Sequence, residues 1–306
     1  MKQKLLILLL AVLLAVQAYG MAEVKKTEIV YAGLDNAGAI QAVYIVNSFE
    51  STEPEQVSDK GDYAKVTNLS GTQTLEYADG AVLLDLPVGR FDYQGDPKGS
   101  TLPWTFSLGY QLDGSPVETS ALSGASGKLR LELGIQVNET LRAYAQGSTL
   151  QVTVTLDGDR ALNINAPRAT MARAGGNVLV TFVVLPGQDA AFEVTCDVQD
   201  FSMAGVQIAG TRMAVDNEQY LGVMARVLEG NPMKDAVTPM MENYLRAMEG
   251  PAPLSFVDPD NGQVDSLQFV MMTPGIPAAQ KDESVNPHSE GESSTVLTRL
   301  ADLFGG

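Results

Sequence analysis

The chain has 306 residues, 45% of them hydrophobic, with 20 Lys and Arg against 37 Asp and Glu, a formal charge of −17 and a pI near 4.4. That apolar content suffices for a packed core and excludes a broadly disordered chain, while a polyanion repels phosphate backbones and anionic head groups, which argues against nucleic-acid binding. The single cysteine, Cys196, excludes an intramolecular disulfide, so stability has to come from packing and hydrogen bonding.

Lys2 and Lys4 precede an apolar run over residues 5–16, followed by Ala18-Tyr19-Gly20. A charged start, a short apolar stretch and a small-x-small site make residues 1–20 a signal peptide, with the mature chain starting near Met21. The run is shorter than the roughly 20 residues that span a bilayer; an uncleaved signal anchor is the alternative. No cysteine lies near the cleavage site, which argues against a lipoprotein. The expected location is extracellular or on the cell surface.

Residues 21–100 read as an N-terminal β unit. Residues 28–34 and 39–47 form a hairpin around Asp35-Asn36-Ala37-Gly38, residues that tolerate turn angles. The polar stretch 48–60 reads as a loop. Short strands follow near 63–68, 72–77, 81–86 and 91–93, and Asp96-Pro97-Lys98-Gly99-Ser100 marks a boundary.

Residues 101–216 carry the clearest period-two alternation. Trp104, Phe106, Leu108, Tyr110 and Leu112 share one parity; so do Leu129, Leu131, Leu133, Ile135 and Val137, and Leu150, Val152, Val154 and Leu156. Each set puts one face in a core and one in water. Residues 178–185 are apolar on both parities, which predicts a central strand covered on both sides. With turn signals at Asp113-Gly114, Asp157-Gly158 and Pro186-Gly187, about seven short strands predict an immunoglobulin-like β-sandwich. The antibody Cys–Trp–Cys signature is absent, so the prediction concerns architecture only.

The period changes after residue 216. Tyr220, Val223, Met224, Val227 and Leu228, then Met233, Val237, Met240, Met241, Tyr244, Leu245 and Met248, recur at helical spacing on either side of Gly230-Asn231-Pro232. Pro239 kinks the second helix or delays its start. Residues 217–273 thus read as a helical pair and a β-hairpin, the latter pairing 254–257 with 264–272 around Asp258-Pro259-Asp260-Asn261-Gly262. Residues 274–293, rich in Pro, Ser and Glu, read as a disordered linker. In 294–306 a short amphipathic segment collects Val296, Leu297, Leu300, Leu303 and Phe304 on one face, the candidate partner contact of the chain. A helix this short is marginal alone in water, so the segment is expected to fold against a partner protein, the body of the molecule or a membrane.

No residue is nominated as catalytic, cofactor-binding or metal-binding, and no cofactor is expected. His288 is the only histidine and sits in the linker, which argues against Ser-His-Asp, Cys-His and histidine-zinc devices in the folded part. No glycine-rich phosphate loop follows a strand. Carboxylates are abundant, but no pair stands out as a glycosidase dyad. The 258–262 turn has Gly262 where a calcium loop needs a third oxygen ligand, and reads as a plain turn. The methionines at helical spacing, with Met203, Met213, Met271 and Met272, read as core before soft binding surface. Trp104 reads as core before sugar platform, and Cys196 as a small core residue on a strand. The sequons at Asn68 and Asn138 matter only in a glycosylating host.

Several phrases carry a family likeness: Leu34-Asp35, Tyr93-Gln94-Gly95, Leu102-Pro103-Trp104, Tyr110-Gln111-Leu112-Asp113-Gly114, Gly124-Ala125-Ser126-Gly127-Lys128-Leu129, Leu185-Pro186-Gly187, Asp200-Phe201, Ser255-Phe256-Val257 and Val264-Asp265-Ser266-Leu267-Gln268-Phe269-Val270-Met271. Together, over most of residues 26–273, the chain resembles uncharacterised exported β-rich proteins of Gram-positive bacteria. Some longer members of that group resemble ectodomains of phage-infection-protein-type membrane proteins. The resemblance implies a β-rich surface module and carries no catalytic residues.

The expected fold is therefore mostly β: an immunoglobulin-like β-sandwich with a smaller N-terminal β unit and a C-terminal helical pair with a β-hairpin. The expected role is a non-enzymatic secreted or cell-surface module making protein or envelope contacts; the alternative is a carbohydrate-binding protein or weak glycosidase. Another protein at the cell surface is the expected partner, with membrane contact through the N- or C-terminal segment a further route and the oligomeric state left open.

Overall fold

Alternating apolar residues become strands through most of the chain, in a computed structural model that describes residues 24–213 and 252–279. The signal peptide, the helical pair of 217–250, the linker beyond 279 and the segment bearing Val296, Leu297, Leu300, Leu303 and Phe304 lie outside the described residues. In chain order the strands are β1 (Val24–Leu34), β2 (Ile40–Ser51), β3 (Glu55–Lys60), β4 (Tyr63–Asn68), β5 (Glu76–Ala78), β6 (Ala81–Leu86) and β7 (Gly89–Pro97). Then come β8 (Trp104–Leu112), β9 (Ser115–Pro116), β10 (Gly127–Val137), β11 (Thr149–Asp157), β12 (Ala161–Asn165) and β13 (Thr170–Ala174). The last are β14 (Asn177–Val184), β15 (Ala190–Val198), β16 (Gln207–Met213) and β17 (Ser266–Met272); one short helix, α1 (Arg142–Gln146), precedes β11. The protein is mostly β, in several sheets.

The chain divides into two units, and neither is contiguous. Of the described residues, the first takes 24–28, 45–98 and 252–267, and the second takes 29–44, 99–212 and 268–279. The sequence reading divided the chain in series, at about residues 100 and 216. The difference comes from strand length: β1, β2 and β17 each begin in one unit and end in the other, and alternation says nothing of where along a strand its packing partners change.

In the first unit, β2, β7 and β4 are neighbours in one sheet, and β3, β6 and β5 form another. Phe49, Tyr63, Val82, Leu84, Leu86 and Tyr93 interlock between them as the core. The stretch 48–60, expected to be a loop, is instead the end of β2 and all of β3, paired with β6 from Glu55↔Leu86 to Lys60↔Ala81. Its polarity follows from its place: β3 is an edge strand that exposes Glu55, Gln56, Ser58 and Lys60 and turns Asp59 inward. Gly95 lets the Tyr63 ring lie directly on β7, where a Cβ would overlap that ring.

In the second unit, β12, β15, β10, β8 and β9 make one sheet. The facing sheet runs β13, β14, β11, β16, β17, β1, β2. Leu129, Leu131, Leu133 and Ile135 of β10, Val194 and Cys196 of β15, Leu150, Val152 and Val154 of β11, and Val180 and Phe182 of β14 are all buried. Phe182 stacks on Phe192 at 4.4 Å, and Trp104 meets Phe269 edge-on at 5.1 Å. At the turn between β1 and β2, Gly38 has φ +96°, and a Cβ there would lie 2.6 Å from the Phe106 carbonyl oxygen.

Three local expectations change. The 254–272 hairpin reduces to one bridge, Leu254↔Gln263, with a 3-10 turn at Pro259–Asn261. β17 instead joins the sheet between β16 and β1, because Leu267, Phe269 and Met271 are fully buried there and a two-stranded hairpin offers no such cover. β14 is covered on one face only: Val178, Val180, Phe182 and Val184 are buried, whereas Val183 is 57% exposed, since a single sheet faces it. The sheets of the second unit also draw on residues outside 101–216, since β17 and parts of β1 and β2 belong to them.

Candidate functional site

On most strands of the second unit the outward positions are polar, as with Arg130 and Glu132 on β10 or Gln151 and Thr153 on β11. The adjacent strands β17, β1 and β2 break that rule. Val30, Ala32 and Leu34 of β1 point into the core, and the alternate parity presents Tyr31 and Gly33. Ala42 and Tyr44 of β2 and Val270 and Met272 of β17 present a like apolar surface. Together with Thr273 and Pro274 they line a groove of about 310 Å³.

Two features shape it. The rings of Tyr31 and Tyr44 stack at 4.8 Å, 12° from parallel, as one wall. At Gly33 a Cβ would meet nothing within 4 Å, so the missing side chain leaves open space there. The polar atoms nearby are engaged elsewhere: Thr273 Oγ1 accepts from Val206 N at 2.9 Å, and Gln41 Nε2 donates to Asp35 Oδ2 at 3.2 Å. Burial, and secondarily the neighbouring Tyr31, push the Tyr44 hydroxyl up to about 12, so it stays neutral near pH 7. The lining holds no carboxylate, cation or thiol. Such a surface can take up apolar side chains; it has no group placed to move a proton or form a covalent bond.

A second concentration of polar chemistry lies in the first unit and is closed to solvent. Lys26 Nζ sits 2.6 Å from Asp59 Oδ1 and 2.8 Å from Glu28 Oε1. Tyr93 Oη donates to Asp59 Oδ2 at 2.6 Å, while Ser255 Oγ and Phe256 N donate to the two Glu28 oxygens at 2.5 and 2.6 Å. Desolvation raises the Asp59 carboxyl above its ordinary value, against the pull of Lys26 and the hydrogen bond from Tyr93. Burial, and then the charge of Asp59, push the Tyr93 hydroxyl strongly up. Glu28 and Asp59 are 0% and 2% exposed. The network ties β1 and β3 to the 255–256 segment, and it is structural in character.

The sequence candidates fall as follows. Trp104 is 1% exposed inside the second unit, so it offers no platform to a sugar. Cys196 is buried, and burial followed by the charge of Asp197 pushes its thiol up to about 11. Met203 and Met271 are buried, while Met272 lines the groove. Asp258 caps its own turn, its Oδ1 accepting from Asp260 N at 2.9 Å, and Lys60 pairs with Asp260 at 2.8 Å. Among the described residues no cluster of His, Cys, Asp or Glu is arranged to hold a metal. Sequence reasoning did not single out Tyr31, Gly33 and Tyr44. The available signal was apolar character on both parities of 29–34 and 42–46, which marks a strand whose outward face is also apolar.

The fold and groove define a β-rich chain with an apolar surface cleft. No protein-family model matches it, and no curated protein matches its sequence. Among solved structures it is similar to the Fcho1 mu homology domain of Danio rerio with bound Eps15 peptide, at 11% identity and a TM-score of 0.44, over 83% of this chain and 96% of that one. It is also similar to the yeast delta-COP-I mu-homology domain, at 10% identity and a TM-score of 0.39, with the same coverage. The same yeast domain complexed with a Dsl1 WxWxV peptide matches at 8% identity and a TM-score of 0.37. Likenesses this distant carry no argument about what this chain binds.

Proposed function

We propose that this chain is an exported, non-enzymatic module that binds another protein at the cell surface through the apolar groove of its second unit. The observation that carries the proposal is the groove itself: contiguous apolar side chains outside the core of an acidic protein, with no reactive group among them. Apolar patches of this kind mark interaction sites. Residues 1–20 as a signal peptide, the resemblance to exported proteins of Gram-positive bacteria and the immunoglobulin-like description of the sandwich belong to the same reading. Carbohydrate binding is the second reading, favoured by the stacked Tyr31–Tyr44 pair; the lining has no carboxylate to support glycoside hydrolysis.

The test uses the chain from Met21, which keeps every described strand, and the variant Gly33→Val, which fills the groove with a residue that strands accept. Both are offered to a displayed peptide library and a glycan array. Peptides with apolar anchors that bind the parent and lose at least about tenfold in affinity to the variant, a change of about 1.4 kcal/mol, support the proposal. Binding that ignores Gly33→Val, or binding of glycans alone, overturns it. Mass spectrometry of the native protein tests export: an N-terminus near Met21 supports it, and an intact Met1 means a retained anchor.

A further inference from the structure

We infer that in the resting chain the groove is occupied by the chain's own C-terminal segment, residues 294–304, which a partner has to displace. This rests on the groove being a protein-binding surface, and it names the first protein to bind there. The groove offers apolar side chains and no charge. The segment offers Val296, Leu297, Leu300, Leu303 and Phe304 at positions i, i+1, i+4, i+7 and i+8, one face of a helix. A helix this short gains its stability from the surface it packs on.

The tether has a suitable length. Pro274 lines the groove. The chain is then held on the second unit: Ile276 and Met203 exchange backbone hydrogen bonds of 2.8 and 3.0 Å, and Ser123 Oγ donates to the Pro277 carbonyl at 2.9 Å. Ala279 is five peptide units beyond Pro274, so it lies within about 18 Å of that lining residue. Residues 280–293 can reach at most about 50 Å, enough to carry residue 294 back over that distance. A tether long enough to reach its site presents its cargo at up to millimolar effective concentration. The linker carries Lys281 against Asp282, Glu283, Glu290 and Glu292, three net negative charges, which opposes seating on an anionic membrane. If the free segment binds with a Kd of about 100 μM, a millimolar tether lowers the apparent affinity of any competitor about tenfold.

The experiment compares the chain from Met21 to Gly306 with one ending at Ser289, using methyl-labelled methionine and the Met272 signal assigned by Met272→Leu. Deletion should shift the Met272 signal, and a synthetic 290–306 peptide added to the shortened chain should restore it. The peptide should bind the shortened chain about tenfold more tightly than the full one. Leu300→Asp in the full chain should reproduce the deletion, and Gly33→Val should abolish peptide binding in both. An unchanged Met272 signal on deletion, or equal peptide affinity for the two chains, overturns the inference; so does a Met272 shift that depends on protein concentration, which assigns the contact to a second copy. An unchanged signal with a groove closed to every peptide also overturns it. If library peptides bind and the 290–306 peptide does not, this inference fails and the module reading stands; if the 290–306 peptide alone binds, the module reading fails and with it the displacing partner, while the self-contact stands.

Discussion

Lys26→Met tests whether the buried network of the first unit is held by charge. Methionine keeps the length of the lysine stem but lacks Nζ, which lies 5.6 Å from the Phe49 ring centre. It removes the cation that sits between Asp59 and Glu28, both almost fully enclosed. Breaking a buried pair from one side costs about 3–5 kcal/mol, because the remaining charge has neither water nor partner. Asp59 makes the cost depend on pH. Its carboxyl is already raised by desolvation in the folded chain, so its contribution is fully present below the unfolded carboxylate value and is lost as pH rises through the folded one. Without Lys26 the folded value climbs further and the loss deepens. Urea denaturation followed by circular dichroism should therefore show a small deficit near pH 4 and one of about 3–5 kcal/mol at pH 8. Adding Asp59→Asn to Lys26→Met should recover about 2 kcal/mol at pH 8. An equal deficit at both pH values would mean that packing of the stem, not charge, is what Lys26 supplies.

Cys196, with its thiol pushed up to about 11, should be roughly a thousandth thiolate at pH 8, where an ordinary thiol is about a quarter ionised; labelling of native protein should be at least about 100-fold slower than in denaturant, and Cys196→Ala should cost about 1 kcal/mol. Leu131→Asp buries an unpaired charge at a position 2% exposed and should cost several kcal/mol, about the whole stability of a domain. Its neighbour Glu132 lies opposite Glu193 across the β10–β15 pair, with Arg130 near both, so Glu132→Lys should change stability by less than about 1 kcal/mol; like melting temperatures for the two variants would refute the register. Gly95→Ala forces the Tyr63 ring off β7 and should cost about 1–3 kcal/mol in a thermal melt.

Alternation in the β10 and β11 sequences was enough to place Leu131 and Val154 inside and Glu132 outside, because parity is a local property of a strand with one covered face. It also placed Cys196 and Trp104 in a core. Polar composition misled at 55–60, since an edge strand that turns only Val57 and Asp59 inward looks like a loop. Apolar composition misled at 178–185, where the outward residues of β14 remain exposed. Both errors have one cause: how many sheets cover a strand, and whether it sits at an edge, are properties of its neighbours.

The groove shows the same limit. Tyr31, Ala42 and Tyr44 can be read as outward-facing apolar residues of one hairpin, but Val270 and Met272 lie more than 200 residues away in a segment that reads as half of another hairpin. Only the insertion of β17 beside β1 brings them together. Backbone hydrogen bonds are alike for every strand, so local sequence says that a strand exists and which face is apolar, while the choice of neighbour is left to the packing of Leu267, Phe269 and Met271 in the interior.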